Sequence, residues 1–288
     1  MLTQFEIISS PILYIFLALF SLAIGSLLNV VIYRLPIMLH TEMEKECRNY
    51  LNLPQVADKP INLFFPRSFC PNCKTTVTAI SNIPIISYCL QRGRCKHCDN
   101  PISIRYPIVE LLSCLIALFS AWVIGFNTTL LFVLLFNWIL ISLFFIDLEH
   151  HLLPDVLTLG LLWLGLIANT QSLFISLSDA VFSSAAGYLS LWLFIKLFYL
   201  IRGKIGMGHG DFKLFAALGA WFGWTQLPLI LLFASISGVI VGSIYLKIRK
   251  KSKDSPIPFG PFLCLAGFLS LFWGKSIINW YLSIFLFS

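Results

Sequence analysis

Four stretches of this chain, residues 7–33, 111–146, 156–178 and 214–246, contain no Asp, Glu, Lys or Arg. A helix that crosses a bilayer needs about 20 apolar residues, and every one of these stretches is longer. Composition agrees, with 58% of the 288 residues hydrophobic, 11% charged and a mean hydropathy of +0.86, where soluble domains carry roughly a quarter charged residues. A water-soluble globule is excluded. An outer-membrane barrel is excluded too, because its strands alternate in polarity over about ten residues. The N-terminus has no Lys or Arg before residue 10, so it lacks the positive region of a cleavable signal, and the first span is expected to stay in the mature protein.

The stretch 111–146 is long enough for two helices with a turn at 125–129, and 214–246 divides in the same way at 223–228. Further spans at about 180–200 and from about 261 onward complete an all-α, polytopic membrane protein of about eight transmembrane helices. Nineteen of the 20 Lys and Arg fall in three segments: ten from Arg34 to Arg105, then Lys196, Arg202, Lys204 and Lys213, then Lys247, Arg249, Lys250, Lys251 and Lys253. An eight-helix path places these on one side, which the positive-inside rule makes cytoplasmic. Both termini are then outside, and Lys275 is expected to snorkel toward the outer interface. Since the net charge of +7 reports topology, no nucleic-acid partner is expected.

The insertion between the first two helices, residues 34–105, is too small to bury much core unaided. It contains Cys70-Pro71-Asn72-Cys73 and Cys95-Lys96-His97-Cys98. Two such pairs make a closed tetrahedral set for structural Zn²⁺, with no position left open for chemistry. A reducing cytosol keeps the thiols available; two disulfides are the plainer alternative. Cys47, Cys89 and His97 lack the paired spacing. Cys114 and Cys264 fall in helices as small apolar residues. The expected division is a first helix over 1–33, a cytoplasmic zinc region over 34–105 and a seven-helix membrane part over 106–288.

Membrane-edge carboxylates tend to mark function, and the candidates are Glu110, Asp147, Glu149, Asp155, Asp179, Asp211 and Asp254. Asp147 closes the third helix and Asp211 opens the sixth, inside Gly208-His209-Gly210-Asp211, so a bundle can bring the two to one depth. Paired carboxylates can hold one proton between them while activating a water against a peptide carbonyl. Spacing alone leaves Asp155 as a rival partner, and leaves open that Asp211 merely caps a helix while Asp147 faces water. Glu149, His150 and His151 suggest a catalytic metal, but the H-E-x-x-H arrangement is absent.

Several motifs in fixed order are similar to those of the bacterial type IV prepilin leader peptidases: Gly25 to Pro36, the two Cys pairs with Asn82-Ile83-Pro84 between them, Pro101 to Pro107 leading to Glu110, Ile146-Asp147 with Leu153-Pro154-Asp155, Gly206 to Trp224, and Pro258 to Phe262. The resemblance implies that Asp147 and Asp211 are the catalytic pair, that Gly208 and Gly210 belong to the G-x-G-D signature with Lys213 close behind, and that the enzyme resides in the bacterial inner membrane. It also implies a second activity, S-adenosylmethionine-dependent N-methylation associated with the cysteine-bearing region, and substrates that are prepilins and pilin-like secretion subunits cut after Gly. Two positions depart from the family pattern: Thr75 stands where many members have His, and Glu149 where Asp is frequent. No Gly-rich nucleotide turn is present, so methyl-donor contacts are unassigned, Glu110 being noted only for its position. A peptidase without methyl transfer, a presenilin-like intramembrane protease and a transporter with a zinc-bearing domain are the alternatives.

Overall fold

The structure, a computed structural model, describes residues 10–54, 61–70, 72–78, 83–203, 206–249 and 257–286. Of the positions named above, the N-terminal stretch 1–9 and Lys59, Pro71, Asn82, Lys204, Lys250, Lys251, Lys253 and Asp254 lie outside the described residues. Within them the chain is helical: α1 Ser10–Tyr50, α2 Ile86–Leu90, α3 Arg105–Ile124, α4 Thr128–His150, α5 Asp155–Thr170, α6 Leu177–Arg202, α7 His209–Phe222, α8 Leu227–Arg249 and α9 Gly260–Leu286. Eight helices follow the order of the eight expected spans, with the short α2 added in the insertion. Six of them are long and apolar enough to cross a membrane, making this a multi-pass membrane protein. The other two, α5 and α7, have 16 and 14 residues and reach only about 24 and 21 Å at 1.5 Å per residue. Hydropathy does not separate them, because the apolar turn residues after each helix read as a continuation of it.

The first helix also departs from expectation. It does not stop at residue 33 but runs for 41 residues with Pro36 inside it, about 60 Å and twice a hydrocarbon core. Its second half is held by local contacts: the Thr41 hydroxyl donates to the Ile37 carbonyl (2.9 Å), and Arg48 pairs with Glu44 one turn back (2.9 Å). Helix formers such as Met43, Glu44 and Lys45 favour this continuation.

The chain forms two compact units, residues 1–142 and 143–288, with the boundary inside α4. In the first, α1 packs along α3, joined by polar side chains that find partners across the interface. Asn29 donates to the carbonyl of Tyr106 (3.0 Å) and Ser113 to that of Ser21 (2.8 Å). Each such bond within a bilayer is worth about 0.6 kcal/mol on average. Between these helices lies the cysteine-bearing segment, whose two isolated antiparallel bridges, Phe69 with Thr76 and Arg94 with Pro101, each close one Cys pair into a knuckle.

The second unit is built around α7. From Asp211 to Phe222 all its residues except Lys213 are buried, because α5, α6, α8 and α9 all pack on it. At Gly219 a Cβ would sit 2.5 Å from the Ser183 carbonyl oxygen, so a small residue is what lets α6 and α7 approach this closely. At the far end of α7, Trp221 donates to the Leu161 carbonyl (2.8 Å) and Asn169 to that of Ala220 (2.8 Å). The Asn169 side-chain oxygen also accepts the amides of Phe174 and Ile175 (3.0 and 3.1 Å). This registers α5, the following turn and α7, and so fixes the height at which α7 begins.

Candidate metal centre and acid pair

The four expected ligands converge. The Sγ atoms of Cys70, Cys73, Cys95 and Cys98 lie within 4.8 Å of one another, with Cys70 and Cys98 3.8 Å apart and Cys73 and Cys95 3.9 Å apart. Thiolates at about 2.3 Å from a tetrahedral zinc are separated by about 3.8 Å, so the donor set fits the ion. These sulfurs are too far apart for disulfides, where S–S is about 2.05 Å, and all four cysteines are free. The knuckles repeat one backbone device: Lys74 and Asp99, each following the second cysteine of its pair, have left-handed φ of 59° and 52°. Their amides return to the Cys70 carbonyl (2.9 Å) and the Cys95 carbonyl (3.0 Å). Cys47 and Cys89 stand apart and are exposed, while Cys114 and Cys264 are buried in helices.

Thr75, the departure from the family pattern, has a visible use. Its hydroxyl donates to Cys73 Sγ at 3.2 Å, and with the Thr75 amide it draws the Cys73 thiol down to about 6. Backbone amides of His97 and Cys98 lower Cys95 as well. Amide and hydroxyl donors thus favour the thiolate form that binds metal.

Two charged residues anchor this segment, and the sequence analysis assigned neither that part. The Arg34 guanidinium, 6% exposed, donates from α1 to the carbonyls of Asn62 (2.8 Å), Leu63 (3.4 Å) and Pro66 (2.6 Å). Glu110 on α3 accepts the Ile85 amide at 2.7 Å, where Ile85 holds a left-handed φ of 59°. The available signal for Arg34 was a cation directly after 27 uncharged residues.

In the second unit, Asp147 lies in the last turn of α4 and Asp211 in the first turn of α7, 6% and 7% exposed. They are within electrostatic reach of each other. A glycine backbone lies against each carboxylate, that of Gly260 beside Asp147 and that of Gly208 beside Asp211. Gly260 is the first residue of α9, so a helix N-terminus points at Asp147, the end that favours an anion. A Cβ at Gly260 would fall 2.5 Å from Asp147 Oδ2; only glycine lets this backbone come so close. Gly210 has the same requirement toward Leu153, whose Cβ would be 2.7 Å away. The Oδ1 of Asp211 is buried and accepts no hydrogen bond, leaving an acceptor free for a shared proton or a water.

Asp155, the rival partner, is turned elsewhere. It is 58% exposed and takes Lys213 Nζ on both oxygens, at 2.6 and 2.7 Å. Lys213 therefore neutralises Asp155 instead of contacting the pair. Glu149 and His150 are 4.0 Å apart and half-exposed, and among the described residues the four cysteines are the group of three or more potential ligands close enough to share an ion. Sequence reasoning quoted Gly260 within a motif without a role; its contact with Asp147 emerges only from the fold.

Residues 19–124 match the bacterial peptidase A24 N-terminal domain, and residues 134–243 match the type IV leader peptidase family. Among curated proteins, the chain is 60% identical to a prepilin leader peptidase/N-methyltransferase of Legionella pneumophila, covering 94% of each. It is 51% identical to the protein of that name from Aeromonas hydrophila, covering 96% of each, and 48% identical to that from Pseudomonas aeruginosa, covering 92% of this chain and 91% of the relative. No solved structure matches.

Proposed function

The chain belongs to the type IV leader peptidase family, and from that premise we propose that it cleaves the short basic leader from prepilins and pilin-like secretion subunits after Gly and methylates the new N-terminus with S-adenosylmethionine. The observation that carries the peptidase half is the buried pair Asp147 and Asp211, each beside a glycine at a helix end and both within the matched residues 134–243. In this reading one carboxylate accepts a proton from water as the water oxygen bonds to the Gly carbonyl carbon. The other supplies a proton to the carbonyl oxygen, and the C–N bond breaks as the leaving amine is protonated.

The pair's position at helix ends suits the substrate. A pilin's apolar segment lies in the bilayer with its basic leader outside it, so the scissile bond sits at the membrane edge. The cation distribution supports placing the acid-bearing helix ends and residues 34–105 at the cytoplasmic face of the inner membrane, with both termini periplasmic. Cys70, Cys73, Cys95 and Cys98 would hold zinc, which braces the cytoplasmic region; no chemical step passes through it. Gly208 and Gly210 shape the approach to Asp211, and Lys213 holds Asp155. Methyl transfer follows from the family resemblance and is associated with the cysteine-bearing region, residues 34–105, without named contacts. Residues 1–33, 34–105 and 106–288 then divide the labour as anchor, zinc-bearing methylation region and peptidase.

The test is to incubate the purified enzyme with a prepilin and labelled S-adenosylmethionine and read the product by mass spectrometry. A product cut after Gly and heavier by one methyl group supports both activities. Cutting without methylation reduces the enzyme to a peptidase, a cut within the apolar segment points to presenilin-like cleavage, and an uncut substrate overturns the reading in favour of transport.

A further inference from the structure

The helix α3 runs from Arg105 to Ile124, 20 residues, and reaches about 30 Å, the thickness of a hydrocarbon core. It has no length to spare, so Arg105 marks the membrane edge, and the Cα of Glu110, five residues further in, lies about 7 Å below it. The neighbouring α1 gives the same depth. A Cβ at Gly25 would meet the Glu110 Cα at 2.6 Å, and Asn29 bonds to the Tyr106 carbonyl at 3.0 Å. Glu110 is therefore level with Gly25, inside the uncharged stretch that ends before Arg34. Its side chain leans back toward the start of α3, which brings the carboxylate to the boundary between headgroups and acyl chains. There it accepts the Ile85 amide at 2.7 Å. The turn ahead of α2 is thus drawn down the side of the helix pair to the membrane edge.

What α2 carries at this depth fits a bilayer surface. Ile83, Ile86 and Leu90 are 41%, 56% and 76% exposed, and Ile86 and Leu90, four residues apart, share a helix face with Cys89. Exposed apolar side chains gathered in one place mark a surface that something covers. The backbone suits a dry neighbour: the amides of Ile85, Ser87, Cys89, Gln91, Arg92 and Gly93 each have an acceptor at 2.7 to 3.1 Å, where unpaired groups would bar a short irregular segment from lipid. Cations follow directly. Arg92, Arg94 and Lys96 are exposed, and Asp99 is the one acid in residues 83–104, so an anionic headgroup layer complements this face. We propose that α2 and its flanking turns are seated in the interface of the adjoining leaflet. Ile83, Ile86 and Leu90 lie among the upper acyl chains, and Arg92, Arg94 and Lys96 pair with the phosphates of anionic lipid. The inference rests on the reading that α1 and α3 cross the bilayer; it needs neither the cleavage reading nor a choice of membrane face.

Cys89 and Cys47, both free and exposed, serve as native probes. Cys47 lies 13 residues beyond Arg34 in the same helix, about 20 Å further out. The zinc-loaded full chain, one copy per nanodisc, is treated with a charged, membrane-impermeant maleimide. Labelling of each cysteine is read by peptide mass spectrometry and divided by its rate in the unfolded chain. In phosphatidylglycerol discs Cys89 is expected to react at least tenfold more slowly than Cys47, and in phosphatidylcholine discs the shielding should be at least threefold weaker. Arg92→Gln with Arg94→Gln should bring the phosphatidylglycerol result to the phosphatidylcholine level. Ile86→Ser with Leu90→Ser, at exposed positions and with zinc content checked, should bring Cys89 to within twofold of Cys47. Equal labelling of the two cysteines in phosphatidylglycerol, equal shielding in both lipids, or shielding unchanged by the serine pair overturns the proposal. Shielding that appears only when prepilin is added would identify a substrate-docking face, and shielding only with two copies per disc a contact between chains; either overturns it as well. Prepilin cleavage in the same discs reports separately on the peptidase reading, and Cys47 labelling in inverted membrane vesicles on the assigned face.

Discussion

Asp147 and Asp211 are held differently, and that difference sets what their mutants should show. Asp147 lies against the N-terminus of α9 at Gly260, whereas Asp211 keeps one oxygen buried without a partner. Asp147→Asn and Asp211→Asn, isosteric changes, are each expected to lower cleavage by at least about a thousandfold, as loss of a group acting within a catalytic unit does, with unchanged elution and helical content. Residual processing near the wild-type rate in either would remove that residue from the mechanism. Gly260→Ala places a methyl against Asp147 Oδ2, and pushing that carboxylate off its position is expected to cost about 1.5–3 kcal/mol, the scale of a lost contact to a charged group. Cleavage should fall about 10- to 100-fold, while Gly→Ala changes at exposed helical positions do little. In the metal centre, Thr75→Val removes the hydroxyl donor to Cys73. Losing such an outer partner lowers metal affinity about 10- to 100-fold, which competition with a chromophoric chelator measures; unchanged affinity would leave Thr75 a spacer.

At the scale of elements, α7 is a short helix whose position is dictated by its neighbours. Propensity contributes little to a 14-residue segment, since isolated helices of this length are marginal, and burial on nearly all sides supplies the rest. Asn169 secures its far end by bonding Ala220, Phe174 and Ile175 together. Asn169→Leu strands one carbonyl and two amides at a fully buried site, at about 1–3 kcal/mol for each group left unsatisfied. Thermal unfolding in detergent should occur several degrees lower, and cleavage should weaken in step because α7 carries Asp211. Lost activity with an unchanged midpoint would show that Asn169 acts on the site and not on stability. The sequence located α7 by its Gly-rich start but gave it a full span's length, since hydropathy counts the apolar turn at 223–228 with the helix.

For the whole molecule, the two compact units depend on different forces. The cysteine-bearing segment is mostly exposed or half-buried and is held by the anchors Arg34 and Glu110 and, in the proposed reading, by zinc on its four cysteines, whereas residues 143–288 bury a continuous apolar core around α7. Zinc removal by a strong chelator should therefore expose residues 61–103 to proteolysis, because metal-binding free energy stabilises such a segment. The fragment covering residues 143–288 should remain protected. Equal loss of protection in both would mean that the units unfold as one.

Much of this was written in local chemistry. Uncharged stretches fixed a helical membrane class because a bilayer core offers no water to an unpaired backbone group, and Cys-x-x-Cys repeated twice specified a tetrahedral sulfur set because thiolate geometry is short-range. Asp147 and Asp211 could be nominated as costly charges at helix ends, but Asp155 was an equal partner by spacing. Tertiary structure separated them, as Lys213 holds Asp155 at the surface while burial collects the other two. It alone placed Gly260 against Asp147 and carried α1 through Pro36. Those arrangements depend on contacts between residues far apart in the chain, and hydrophobic periodicity or motif spacing contains no term for which distant backbone atom a side chain will meet.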